Sequence, residues 1–373
     1  MERPARRRAP AGALGALLLV ALVELAIGSC PVRFANSASL SWRLSFGRAV
    51  DPATSCEVAC LGDSLVKIGV LPRVIEAATG LRSENYAMGH APAPAPYFLL
   101  RRMLAAGLRP TTILVDFKPS MLAGGPKFNL REWQEVLRPA EAVELAGHAG
   151  GVPFLVEIAL GQVLPSYRSR FEIREAIAAL WAGRVAPTYR NNRLAIRNWT
   201  INKGTHLNGS SVPFDGTVAP ESRRKLIIPN WACHRANQAY VEKFFALAES
   251  RGIKVIWLIA PSSPELQALR EAKGRDPAYA EFVAAVQRRH PSVAVIDARH
   301  SGYPTAAFAD PTHLNGRGAA TLSHDLARVL ADGAGRPGST WVTLPPYRDE
   351  PLRAPAETIE RSTALVDAEL LRR

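Results

Sequence analysis

Ser64 and His313 are the residues whose type and surroundings point most directly to chemistry. Ser64 closes the stretch Cys60-Leu61-Gly62-Asp63-Ser64-Leu65. The apolar run 57–61 ahead of it reads as a buried strand, and the apolar residues from Leu65 to Ala78 recur at helical spacing. A strand, a tight glycine turn and a helix start place Ser64 in the first helical turn. There its hydroxyl meets free backbone N–H groups and the positive end of the helix dipole, a setting in which a nucleophile can develop negative charge. The plainer reading of Asp63-Ser64 is a helix N-cap. His313 lies in Asp310-Pro311-Thr312-His313-Leu314-Asn315, just before Gly316-Arg317-Gly318 opens a last helix. Asp and His three apart on a turn can face one side. Asp310 can then fix one imidazole tautomer while the other ring nitrogen faces a serine hydroxyl, as in nucleophilic acyl chemistry.

The elements that must position these groups alternate. Strands are predicted over 57–61, 82–88, 111–117, 253–259 and 293–297. Helices are expected over 65–78, bent at Pro72 and stopped at Gly80, and over 97–108, 232–251, 264–270, 277–289 and 316–330. This alternation predicts an α/β fold with a parallel sheet, helices on both faces and right-handed crossovers. Sites in such sheets lie at the C-terminal strand ends, where Ser64, Gly89, Lys118 and His313 all fall. Residues 120–230 break the pattern, with helices predicted at 130–145, 152–164 and 171–181 and a polar, basic stretch at 187–225. Connections in such sheets are normally a few residues long, so this reads as a functional insertion capping the site. Its aromatics, Tyr189, Trp199, Phe214 and Trp231, suit either a sugar-binding surface or packing.

A Gly-Asp-Ser-Leu near the start of the domain, with Asp-x-x-His before its last helix, resembles the SGNH (GDSL) hydrolase superfamily. The resemblance covers roughly 55–330 with one large interruption. It implies a flavodoxin-like, three-layer α/β/α fold, Ser64 as nucleophile, His313 as base and Asp310 as its orienting partner. It also implies that Asn85-x-x-x-Gly89 is the block whose glycine N–H helps to hold the oxyanion, together with the backbone at Asp63-Ser64. The chain departs from the pattern at the third strand end: Val115-Asp116-Phe117-Lys118-Pro119 stands where these enzymes carry Gly-x-Asn-Asp. No asparagine is available there, and Lys118 is the candidate to supply positive charge in its place. Losing one oxyanion donor costs about 3–4 kcal/mol in a transition state.

The resulting division is 1–30 as a signal-anchor or signal peptide, 31–125 and 231–332 as two halves of one catalytic domain, 126–230 as the cap, and 333–373 as a Pro-rich tail ending in a helix over 357–371. Arg3, Arg6, Arg7 and Arg8 precede an apolar run from 11 to 27, interrupted by Glu24. That pattern suits an uncleaved signal-anchor, then a lipoprotein box at Ile27-Gly28-Ser29-Cys30, then a cleaved signal. Each puts the catalytic part outside the cytoplasm. Cys56 and Cys60 lie about 13 Å apart along a strand, too far for a disulfide; Cys56 with Cys233 stays open. The net charge is +13. From Gly161 to Arg235 twelve Lys/Arg face only Glu172, Glu175, Asp215 and Glu221. No nucleic-acid motif interleaves these charges, so a solvated face, an anionic polysaccharide or phospholipid head groups are the readings kept.

The expected activity is an extracytoplasmic serine esterase acting on acyl, above all acetyl, esters of carbohydrate or lipid, needing no cofactor or metal. An O-acyltransferase acting on an exported polysaccharide shares the first half-reaction. A non-catalytic binding domain and a metal site are the other classes. The metal reading rests on Asp297-x-x-His300, which repeats the spacing of Asp310-x-x-His313.

Overall fold

The computed structural model describes residues 11–209, 214–332 and 341–371; the arginines at 3–8 and the start of the tail at 333 lie outside them. Six strands form one sheet, all parallel: β1 Val58–Leu61, β2 Ser83–Asn85, β3 Thr112–Val115, β4 Lys254–Ile259, β5 Ala294–Asp297 and β6 Trp341–Thr343, in the order β2-β1-β3-β4-β5-β6. Alternation along the strands divides the core. Ala59, Leu61, Ile113, Val115, Val255 and Trp257 face one side, packed with Phe98, Phe244 and Phe245. Val58, Cys60, Leu114, Ile256 and Leu258 face the other, packed with Val74, Ile75, Leu322 and Leu326. Two faces buried under helices explain why these strands read as unbroken apolar runs.

The elements depart from expectation in four places. The strand expected at 82–88 keeps ladder geometry only over Ser83–Asn85, and β6, not foreseen, adds to the far edge from within a stretch rich in Pro and Gly. The helix expected at 130–145 splits into Leu130–Val136 and Pro139–Ala149, because Pro139 cannot continue a helix but starts one readily. The basic stretch read as loop contains the helices Pro187–Ile201 and Pro220–Leu226, each opened by a proline.

The lead-in 31–55 is also ordered. Asn36 caps the helix Ser37–Arg48 by accepting from Ser39 N at 2.7 Å. This helix buries Trp42 and Phe46, and Trp42 stands edge-on to Trp133 with centroids 4.7 Å apart. The tail helix Ile359–Leu370 packs on Pro187–Ile201, where Asn198 and Asn202 both donate to Glu357 O, at 2.6 and 2.8 Å. All four cysteines are free, which closes the Cys56–Cys233 alternative.

Candidate active site

At the end of β1 the chain turns through Gly62 with φ +119°. A Cβ at Gly62 would sit 2.1 Å from Asp116 Oδ1 and 2.6 Å from Asp116 O, so only glycine lets β1 and β3 meet this closely. Asp63 then caps the helix Ser64–Gly69, accepting from Leu65 N at 2.8 Å, and Asp116 Oδ1 accepts from Asp63 N at 2.8 Å. Ser64 is the first helical residue, where the backbone N–H has no intrahelical acceptor.

His313 arrives from the loop before the helix Gly316–Ala331, which packs on the same face of the sheet as the helix Ser64–Gly69. The loop before the helix Gly316–Ala331 is closed by the bridge between Phe308 and Leu314 and by Asn315, whose side chain accepts from Arg317 N and Gly318 N. His313 Nε2 lies 2.8 Å from Ser64 Oγ, and His313 Nδ1 lies 2.6 Å from Asp310 Oδ2. With Nδ1–H donating to the carboxylate, Nε2 is left to accept from the serine hydroxyl. Asp310 Oδ1 accepts from Thr312 N at 2.8 Å, Thr312 Oγ1 at 3.0 Å and His313 N at 3.0 Å. Burial favours the neutral acid at Asp310, but the hydrogen bond and charge of His313 and these N–H groups outweigh it and hold the carboxyl well below the usual carboxylate range. The arrangement can therefore take a proton from Ser64 as Oγ attacks a carbonyl, with Asp310 steadying the imidazolium.

The remaining residues expected at the site divide. Lys118 lines the cavity of about 250 Å³ that also contains Ser64, Gly89 and His313. Gly89 reaches that wall, but its N–H donates to Ser41 Oγ at 3.1 Å and its carbonyl accepts from Trp42 Nε1 at 2.8 Å. The amide expected to meet an oxyanion is already engaged by a hydroxyl. Asn85 is not at the site. Its Nδ2 donates to Val66 O at 2.9 Å and Val70 O at 3.1 Å, tying β2 to the end of the helix Ser64–Gly69, and it is buried. Asp63 is buried behind Ser64 as a cap and does not line the cavity. The spacing of Asp297 and His300 has no part here: Asp297 Oδ2 pairs with Arg299 Nη2 at 2.6 Å, and His300 Nδ1 lies 3.5 Å from Glu271 on the surface.

Several cavity residues had no sequence signal as site residues. Ser41 comes from the lead-in helix, His90 follows Gly89, and Lys67 lies one turn beyond Ser64. A signal existed only for Lys67, since i and i+3 share a helix face. Among the described residues of the insertion only Ala195, Trp199 and His206 reach this cavity, so the expected cap narrows here to one helix and the loop after it. That loop docks through Gly204 at φ +96°, where a Cβ would strike Asn85 O at 1.7 Å, and through His206 N donating to Lys67 O at 3.0 Å. Of the other aromatics, Trp231 packs on Tyr279 and Phe282 and Tyr189 lies under Arg33.

The helices Gly151–Val163 and Arg170–Trp181 lie instead with the N-terminal helix, Ala11–Gly28, which packs on the short helix Pro165–Arg168 between them. Among the described residues no helix is long and apolar enough to cross a membrane. The arginines expected to attract an anionic substrate are paired with the tail: Arg190 with Asp367 at 2.5 Å, Arg193 with Glu369 at 2.7 Å and Arg197 with Glu357 at 2.7 Å. These three charges of the basic stretch are therefore matched by acids of the tail. No protein-family profile matches the chain, and no curated protein matches it significantly.

Proposed function

We propose that the chain is a serine esterase of SGNH type that cleaves acyl esters outside the cytoplasm. The observation that carries this reading is the continuous hydrogen-bonded line from Ser64 Oγ through the His313 ring to Asp310, at 2.8 and 2.6 Å, at the C-terminal ends of parallel strands. Ser64 Oγ attacks the ester carbonyl, and His313 Nε2 takes its proton and returns it to the departing alcohol. Water then attacks the acyl-enzyme through the same histidine, giving the free acid. The oxyanion would meet the free N–H of Ser64, with Lys118 and the Ser41 hydroxyl in reach of the same cavity. This set differs from the SGNH pattern in replacing an asparagine by a lysine and in screening Gly89 behind Ser41.

The membrane placement belongs to the same proposal. Along Ala11–Gly28, Leu14, Leu17, Leu18, Leu22 and Leu25 are exposed. Glu24 is not: its carboxylate accepts from Ser166 N at 2.8 Å and from Ser166 Oγ. This docking favours a retained helix over a cleaved signal. At 1.5 Å per residue its 18 residues extend about 27 Å, slightly under a bilayer's hydrocarbon thickness of about 30 Å. Val152, Val156, Leu160 and Val163, with Phe171, Leu180 and Trp181, continue the apolar surface beside it, and Arg170, Arg174 and Arg184 are exposed in the same segment. Apolar and basic residues together are what an anionic bilayer surface attracts.

Labelling of the purified chain by a fluorophosphonate, with release of 4-nitrophenol from 4-nitrophenyl acetate, tests the activity. Both are expected, and both are expected to vanish in Ser64→Ala. A folded chain that neither labels nor turns over ester would overturn the reading.

A further inference from the structure

We propose that the cavity beside Ser64 holds a compact oxyanion of the ester substrate, a carboxylate or phosphate, between Lys67 and Lys118. The inference rests on Ser64 as the nucleophile and adds the substrate class.

The walls carry the argument. Among the described residues five titratable side chains line the cavity, Lys67, His90, Lys118, His206 and His313, and none is a carboxylate. The nearby acids are committed elsewhere: Glu132, whose charge reaches His90, is buried and accepts from Ser39 Oγ at 3.3 Å. Asp63 and Asp116 are buried behind the turn, each accepting a backbone N–H, and Asp310 is engaged by His313. Lys67 is 9% exposed and Lys118 is 8% exposed. Among the described residues neither side chain makes a hydrogen bond or ion pair. Buried charges are ordinarily paired, so two lysines sunk into one wall without an anion form an incomplete set that a substrate can complete. The indole N–H of Trp199, in the same wall, also has no acceptor among the described residues.

Lys67 is poised for this role. Burial alone pushes its ammonium down to about 8, so it is largely charged at neutral pH, and a bound anion would restore its usual range. His206, which faces it, is pushed down to about 4 by burial first and then by the charges of Lys67 and His313. His90 is likewise lowered, by burial and then by Lys118. Near pH 7 both histidines are therefore neutral donors or acceptors, and the two lysines supply the charge. Leu40, Leu44 and Ile68 complete the wall with apolar surface for the carbon skeleton. The ligand that fits is an ester with an anionic group a few bonds from the reacting carbonyl, whichever side of the ester carries it. Lys118 also lines a second cavity of about 390 Å³ with His90, Met121 and Phe128, which gives the rest of such a substrate a place to extend.

The test uses the full chain carrying Ser64→Ala, so that binding is read without turnover. Calorimetry compares neutral 4-nitrophenyl acetate with two anionic esters, 4-nitrophenyl hemisuccinate for the carboxylate and 4-acetoxyphenyl phosphate for the phosphate. At least one anionic ester should bind tenfold or more tightly than the neutral one, and which one identifies the source. The preference should shrink toward one as pH rises through about 8. It should shrink likewise in Lys67→Met and in Lys118→Met, and survive in Lys67→Arg. Two lysine variants guard against one failing to fold, which circular dichroism reports. Equal binding of neutral and anionic esters, or a preference untouched by either methionine variant, would overturn the proposal. Ester turnover by Ser64→Ala would instead overturn the nucleophile assignment and leave the binding result standing.

Discussion

Asp116 Oδ1 accepts the backbone N–H of Asp63 at 2.8 Å, so the end of β3 holds the turn that presents Ser64. Burial first, then the charge of Asp63, pushes the Asp116 carboxyl well above the usual range, which favours its protonated form in the fold. The outer oxygens of both acids have no hydrogen-bond partner among the described residues, and a proton shared between them would satisfy both.

Asp116→Asn should therefore be nearly silent in turnover, because the amide keeps an acceptor for Asp63 N and a donor toward the Asp63 carboxylate. Asp116→Ala should destabilise the protein by about 1–3 kcal/mol, the cost of a buried N–H left without a partner. The pH dependence has a definite sign. An acid whose pKa is raised on folding stabilises the fold at low pH and loses that contribution as pH rises through the unfolded value, about 3.9, toward the folded one. Urea titrations from pH 4 upward should show this decline in the native chain and lose it in Asp116→Asn. An equally large loss of stability in Asn and Ala variants would refute the shared proton.

Removing the carboxylate that orients His313 separates positioning from chemistry. Asp310→Asn can present its amide N–H to Nδ1, which would leave Nε2 protonated and unable to accept from Ser64. Turnover should fall on the order of 10⁴-fold, as for a triad with the wrong tautomer. Substrate binding should change far less. Stopped-flow turnover with calorimetric binding decides it; a loss confined to binding would mean that Asp310 shapes the cavity rather than the imidazole.

The hydrogen-bonded line from Ser64 to Asp310 was legible in the sequence because both of its ends sit in short, self-contained turns. Gly62-Asp63-Ser64 and Asp310-x-x-His313 each fix their geometry within a few residues, and the alternating strands say which edge they share. What the sequence hid depends on distant pairings. Asn85 reads as part of a ligand-facing block, yet its amide serves carbonyls of the Ser64 helix, a contact that exists only once β2 lies beside β1. Ser41, in a polar lead-in, meets Gly89 only through the packing of Trp42 into the core. The arginines of 187–201 read as an anion-attracting face because their acids lie 160 to 177 residues later in the tail.

That pairing makes its own prediction. Arg190, Arg193 and Arg197 reach Asp367, Glu369 and Glu357. Exchanging all three for Gln should leave the salt dependence of anionic-ester turnover as it was and loosen the tail helix, with faster proteolytic cleavage between 344 and 358. If the exchange erased the salt dependence instead, these side chains would be acting on substrate despite their partners.

The apolar shelf beside the N-terminal helix yields the last prediction. Leu180 and Trp181 are 75% and 87% exposed, an unusual cost for large apolar residues at the end of a helix facing water. A tryptophan there, near Arg184, matches the residue types that settle at the head-group level of a bilayer. The shelf adjoins a helix whose one acid, Glu24, is tied down by Ser166 and so faces the protein. In vesicles of phosphatidylcholine with phosphatidylglycerol brominated along the acyl chains, tryptophan emission of the full chain should be quenched, and Trp181→Phe should remove most of that quenching. The other six tryptophans serve as the internal reference, since Trp42, Trp133 and Trp257 are fully buried in the core. Quenching that persists at full strength in Trp181→Phe would mean that the shelf stands clear of the lipid and that the N-terminal helix alone makes the attachment.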